Sequence, residues 1–192
     1  MKENPIIQLE GITFSYPGAS PVLKDLNFTL SAGDRIGLIA PNGSGKTTFF
    51  HIIMGLVKPA SGRIEIFGQR VEEEEDFVAV RRRIGLLFQD ADDQLFSPTV
   101  LEDVAFGPLN QGKSKQEAIA ISRKTLSFLG LEGFEDRITI RLSGGEKRLV
   151  SMATVLAMEP QAMLLDEPSA GLDEATKLRL IDILKNLAIS YV

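Results

Sequence analysis

The chain has 192 residues, 26 acidic against 21 basic, a net charge of -5 and no cysteine. It is long enough for one ordinary domain with a substantial core; disulfides and thiolate metal sites are excluded, and the acidic balance argues against a general nucleic-acid binder. No apolar run approaches the ~18 residues needed to cross a bilayer, and Met1-Lys2-Glu3-Asn4-Pro5 has no signal-peptide pattern, which predicts a chain made and kept in the cytoplasm.

From Ile6 to Tyr16 the near-alternating Ile7, Leu9, Ile12, Phe14 and Tyr16, interrupted at Gly11, predict a half-exposed strand with a bulge. A turn over Pro17 to Pro21 leads to a second strand, Val22 to Leu30, and Ile64 to Phe67 gives another. Short turns between these strands predict a mainly antiparallel sheet beside a parallel core. Tyr16 stands at the exit of its strand, where an aromatic either stacks on a base or packs on its own sheet; the local sequence favours packing.

After the Gly33-Asp34 turn comes Arg35-Ile36-Gly37-Leu38-Ile39-Ala40-Pro41-Asn42-Gly43-Ser44-Gly45-Lys46-Thr47-Thr48. It predicts a buried strand over Ile36 to Ala40, a tight loop, and a helix ending near Gly55. Gly43 and Gly45 let successive N-H groups point at phosphate oxygens, at the positive end of the helix. Lys46 reaches the β- and γ-phosphates, and Thr47 offers a hydroxyl to a Mg²⁺ bridging them. This is a P-loop, with Asn42, Gly43, Ser44, Gly45, Lys46, Thr47 and Thr48 as its ATP-binding candidates. The first glycine of the usual pattern is replaced by Ala40, which precedes a proline and so adopts extended angles without strain.

The acidic run Glu72 to Asp76 and the basic Arg81-Arg82-Arg83 predict a solvated loop and helix face. Ile84 to Phe88 is the next buried strand, and Gln89 follows at its carboxyl end, either as a contact to metal or attacking water or as an ordinary loop residue. A helical insert is predicted from about Ser97 to Lys147, clearest over Val100 to Phe106 and Ser114 to Leu129, the latter capped by Gly130. Leu142-Ser143-Gly144-Gly145-Glu146 opens a helix over Lys147 to Met158 and forms a second anion site.

Ala162 to Leu165 is an apolar strand ending in Asp166-Glu167. Asp166 is predicted to hold the Mg²⁺ shell and Glu167 to orient and deprotonate the attacking water; the simpler alternative for such a pair is a helix cap. A loop over Ser169 to Asp173, a helix over Glu174 to Ala188 and the start of a strand at Ser190 complete the chain. His51, the single histidine, reads as a helix residue.

With these elements in this order, the chain resembles the ATP-binding subunits of ABC transporters over nearly its whole length. The resemblance implies an α/β fold: a P-loop NTPase core with a mainly parallel sheet, an N-terminal antiparallel β subdomain and a helical insert, all in a single domain over residues 1–192. Leu142 to Glu146 resembles the family's LSGGQ motif, Gln89 its Q-loop, Met163 to Glu167 its Walker B motif and Ser169 to Asp173 its D-loop. Tyr16 falls where the family's adenine-stacking aromatic lies, which reverses the local preference. Two subunits of the family pack head to tail, so Ser143, Gly144, Gly145, Glu146 and Asp173 are implied to meet the ATP of a partner subunit. The implied cofactors are ATP and Mg²⁺, with Thr47, Gln89 and Asp166 as metal ligands and Glu167 and Gln89 as catalytic residues.

The implied partners are a second ATP-binding subunit and a transmembrane transporter subunit, with no nucleic acid, at the cytoplasmic face of the cell membrane. Phe88 to Val100 and Glu102 to Pro108 are similar to the cobalt/nickel and energy-coupling-factor (vitamin) importers. Leu149 departs from the arginine many members carry there. The chain ends as the strand before the family's switch histidine would begin, so the resemblance implies a shortened chain with a gap in its central sheet and weak ATP binding or slow turnover. The alternatives are a catalytically silent nucleotide-binding module and an ABC ATPase not linked to transport.

Overall fold

The computed structural model describes residues 5–192, so Met1 to Asn4, read above for their lack of a signal-peptide pattern, lie outside the described residues. The fold is α/β, with an antiparallel sheet and a parallel one. The described residues divide into two compact units. The first contains residues up to Leu86 together with Gln161–Asp166 and Ile189–Val192; the second contains Leu87–Pro160 and Glu167–Ala188.

The antiparallel sheet of the first unit has strands β1 (Ile7–Phe14), β2 (Leu23–Leu30), β3 (Ser61–Ile66) and β4 (Gln69–Arg70) in the order β2-β1-β3-β4. β1 carries Ile7, Leu9, Ile12 and Phe14 to one buried face although the spacing changes phase at Gly11. The register with β2 shifts between Leu9 and Ile12, where Gly11 has φ 62°. One extra residue restores the alternation; without it Ile12 and Phe14 would face water. The Asn27 side-chain carbonyl accepts from the Gly11 N-H at 3.0 Å and so anchors the bulge.

The parallel sheet has strands β5 (Ile84–Leu87), β6 (Ala162–Leu165) and β7 (Ser190–Tyr191) in that order. Every residue of β5 and β6 is buried. Strands covered on both faces have no solvent side to alternate with, which is why these two read as unbroken apolar runs.

The run Ile36 to Ala40 departs from the expected buried strand. Arg35 forms a single parallel bridge to Tyr191, and Ile36 donates its N-H to the Tyr191 carbonyl at 2.9 Å. Beyond that point Leu38 and Ile39 are exposed, Ile39 fully. Among the described residues the pairing of this run is confined to its start, at Arg35 and Ile36.

Helices α1 (Lys46–Ile53) and α2 (Glu74–Arg81) belong to the first unit. Arg81 joins them by donating to the carbonyl of Met54 at 3.1 Å while pairing with Glu74. The acidic run, for which the sequence predicts a solvated loop, caps α2 at Glu73 and forms its first turn, and of the basic run only Arg81 lies within the helix, Arg82 being its C-cap. In the second unit, α3 (Val100–Asn110), α4 (Lys115–Phe128) and α5 (Gly144–Leu156) pack against one another, with Val104, Leu126 and Met152 buried, and α6 (Glu174–Asn186) is tied to the end of α4 by Arg179, which donates to the carbonyls of Leu129 and Gly130. Gly130, φ 61°, stops α4 as expected and gives its N-H to Ser127. α5 starts earlier than the sequence suggests, because Ser143 caps it and draws Gly144 and Gly145 into its first turn.

Replacing Gly62 by alanine tests the packing of β3 on β1. At φ 109° the new Cβ would stand 2.7 Å from the Glu10 carbonyl oxygen and 2.8 Å from that of Gly11. Main chain cannot swing aside, so Gly62→Ala is expected to lose about 1–3 kcal/mol of stability, read as a lower urea midpoint at unchanged slope.

Candidate active site

The loop before α1 is built to receive an anion. α3, α4, α5 and α6 each begin on a Thr, Ser or Asp whose side chain accepts a hydrogen bond from the first turn. α1 instead begins on Gly45, left-handed at φ 97°, with no side-chain cap and no acid in its first turn. Its N-terminal N-H groups and the positive end of its dipole are therefore left for something outside the helix. Gly45 is also a packing requirement, since a Cβ there would lie 2.7 Å from Val22 Cγ1. Ser44 Oγ is buried with no hydrogen-bond partner, a polar atom in the cradle that a phosphate oxygen would satisfy.

Lys46 lies back over its own loop and donates to the carbonyl oxygens of Ala40 at 3.1 Å and Pro41 at 3.2 Å. Tyr16 packs edge-on against Phe14, ring centroids 4.9 Å apart, and its hydroxyl lies 3.0 Å from Thr48 Oγ1 in the first turn of α1. The packing expected from the local sequence is thus present, and the ring is tied to the P-loop helix as well. Asp166, buried at the tip of β6, is in the same unit.

The second unit holds the other carboxylate. Glu167 has a left-handed backbone, φ 44°, a conformation that costs an L-residue about 1–3 kcal/mol and persists only where its surroundings enforce it. Its Oε2 is 3.4 Å from Nε2 of Gln89, so the tips of the two strands bring together the two residues singled out from sequence. Sequence reasoning missed Arg148, which is almost wholly buried on α5. Its guanidinium donates to the carbonyls of Phe88, Gln89 (3.3 Å), Glu167 (2.9 Å) and Pro168 (2.9 Å). The available signal was spacing: Met152 and Val155, four and seven residues on, put Arg148 on an apolar face of the helix, a charge where burial is expected.

Gly145 and Asp173 also come close. A Cβ on Gly145 would be 3.2 Å from Thr176 Oγ1 and 3.7 Å from Asp173 Oδ2. Asp173 caps α6 through the N-H and hydroxyl of Thr176. Ser143 and Glu146 form a reciprocal capping box at α5, with Glu146 also paired to Arg137 at 2.8 Å.

A family model described as "ABC transporter" matches residues 23–170. The chain belongs to the ABC transporter family. It is 53% identical over 190 residues to a putative ABC transporter ATP-binding protein of Nitratidesulfovibrio vulgaris, covering 98% of this chain and 70% of that protein. It is 44% identical to an energy-coupling factor transporter ATP-binding protein of Methanothermobacter thermautotrophicus, with 95% of this chain and 59% of that one covered. A cobalt import ATP-binding protein of Rhodobacter capsulatus is also 44% identical, with 95% and 66% covered. Among solved structures, cbiO1 of Clostridium perfringens, part of the ABC transporter complex cbiONQ, superposes with a TM-score of 0.86 at 34% identity, covering 98% of this chain and 77% of that one. The chain thus spans about 59–70% of the length of these three curated relatives.

ABC proteins of this type are ATPases, and the uncapped α1 with its orphaned Ser44 hydroxyl fits the triphosphate of ATP. Mg²⁺ takes hard oxygen donors and keeps part of its shell on phosphate and water. Thr47 and Asp166 offer such donors on this ABC chain, and no cluster of three or more His, Cys, Asp or Glu exists among the described residues to bind a metal independently of the nucleotide.

Two carboxylates at the N-termini of α5 and α6 give the fold an acid-sensitive edge. The Thr176 hydroxyl, then its N-H, hold Asp173 below the ordinary aspartate range; the Ser143 N-H, then its hydroxyl and Arg137, do the same for Glu146. Lowered folded values mean that their stabilising contribution is complete above the unfolded values, about 3.9 and 4.3, and is lost as pH falls through the folded ones. Thermal midpoints between pH 6 and pH 2.5 should therefore fall less steeply for Asp173→Asn than for the unsubstituted chain.

Proposed function

We propose that the chain is the ATP-hydrolysing part of an importer of the energy-coupling-factor or cobalt/nickel type. The observation that carries the catalytic reading is the approach of Gln89 to Glu167, 3.4 Å apart, at the tips of adjacent strands. The names of the relatives support the importer class, and the motifs around Gln89 support it from the sequence side.

In this reading Asn42, Gly43, Ser44, Gly45, Thr47 and Thr48 wrap the phosphates with main-chain N-H and hydroxyl donors. Lys46 leaves the Ala40 and Pro41 carbonyls for the β- and γ-phosphates, exchanging neutral acceptors for anionic ones. Tyr16 stacks on the adenine. Thr47, Gln89 and Asp166 would hold Mg²⁺, which would supply positive charge against the phosphates. Glu167 accepts the proton of the attacking water, while Gln89 orients that water through its amide.

Ser143, Gly144, Gly145, Glu146 and Asp173 face the ATP of a second subunit. The N-terminus of α5 supports this role, because its glycines leave main-chain N-H groups accessible to an anion. Closure and reopening of such a pair would drive a transmembrane partner, placing the protein at the cytoplasmic face of the membrane. Among the described residues no helix is long and apolar enough to cross it.

The test is turnover of Mg-ATP by the chain beside Glu167→Gln and Lys46→Ala. Glu167→Gln should bind ATP normally and lose at least about 10²-fold in kcat, the contribution of a positioned base. Lys46→Ala should instead weaken nucleotide binding. Native turnover by Glu167→Gln would remove Glu167 from the chemistry.

A further inference from the structure

Gln89 and Glu167 approach each other, but 3.4 Å between an amide nitrogen and a carboxylate oxygen is too long to fix either side chain. Something else must set their positions. In the same unit, the 4% exposed Arg148 reaches the main chain on both sides.

The Nη1 of Arg148 donates to the carbonyl of Phe88 and, at 3.3 Å, to that of Gln89. These two carbonyls belong to the peptide planes on either side of the Gln89 Cα, so pinning both fixes where its Cβ points. Nη2 donates to the Glu167 carbonyl at 2.9 Å, and Nε to that of Pro168 at 2.9 Å. The Glu167 carbonyl accepts a second bond, from the Ala170 N-H at 3.0 Å. A residue at φ 44° keeps that conformation only where its peptide is over-determined, and these two bonds do so.

We infer that Arg148 is a positioning residue of the ATP-hydrolysing site, a planar fork that holds the loops carrying Gln89 and Glu167 in one fixed relation. The inference rests on the assignment of those two residues proposed above. Lysine cannot replace it: a single ammonium has three donors at one point, whereas the guanidinium presents five in a rigid plane that spans two loops. Arg148 touches neither nucleotide nor water in this scheme. Its effect falls on kcat rather than on ATP affinity.

Arg148→Lys and Arg148→Met should be compared with the unsubstituted chain and Glu167→Gln by three readouts: Mg-ATP turnover, binding of trinitrophenyl-ATP, and amide hydrogen exchange. Arg148→Lys is expected to melt cooperatively, to bind the analogue within about twofold of the unsubstituted chain, and to lose about tenfold or more in kcat through misplaced groups. Exchange should rise together over residues 88–90 and 167–170. A kcat within about twofold of the unsubstituted chain, or exchange that rises at one loop or at neither, would overturn the proposal. So would loss of the folded state in both variants, which would make Arg148 a core residue only. Native turnover by Glu167→Gln would refute the base assignment instead. In that case, or if the unsubstituted chain shows no turnover, the exchange pattern still decides whether Arg148 couples the two loops.

Discussion

Two fully buried strands cannot end without leaving main-chain carbonyls that need donors, and one arginine meets that need for β5 and β6 together. Buried charge is costly unless it is well hydrogen-bonded, and each bond to a charged group contributes about 1.5–3 kcal/mol. With four carbonyl acceptors, about 6–12 kcal/mol in gross terms, the bonds of Arg148 are of the size needed to offset its desolvation. The consequence is geometric: the loops after β5 and β6 share one anchor, so the left-handed Glu167 and its neighbour Gln89 are aimed by the same side chain.

α5 is the element from which these ties come. Besides Arg148, Lys147 pairs with Asp92, and the side chain of Gln94 accepts from the Phe88 N-H while donating to the Ser151 carbonyl and Thr154 hydroxyl. The helix that begins with the signature glycines is thereby bonded at three places to the segment that follows β5. In the proposed cycle, ATP of a second subunit meets the N-terminus of this helix. The same rigid element would carry that contact to the residues that orient water.

The distribution of caps sets α1 apart from the helices that close their own N-termini. Four helices close their own N-termini with Ser, Thr or Asp, and α1 does not. A helix start without a cap gives up a stabilisation of typically about 1 kcal/mol. Here that start lies beside a buried serine hydroxyl without a partner, and a phosphate group would satisfy both.

The sequence by itself determined the elements whose signals are local. The bulge at Gly11, the unbroken apolar runs of β5 and β6, the Ser114 and Gly130 ends of α4, and the glycines of the P-loop are each imposed by residues within a few positions. Asp166 and Glu167 were legible because they follow an apolar strand directly. Tertiary structure decided what depends on distant neighbours. Ile36 to Ala40 has strand chemistry, yet it is not a strand, because a strand needs a paired neighbour along its length and pairing here is confined to Arg35 and Ile36. Arg148 looked like one more charge on an amphipathic helix, and only the folding of residues 88–89 and 167–168 around it made it a junction. Its acceptors are main-chain carbonyls, a group every residue carries, so no residue type in the sequence marks them.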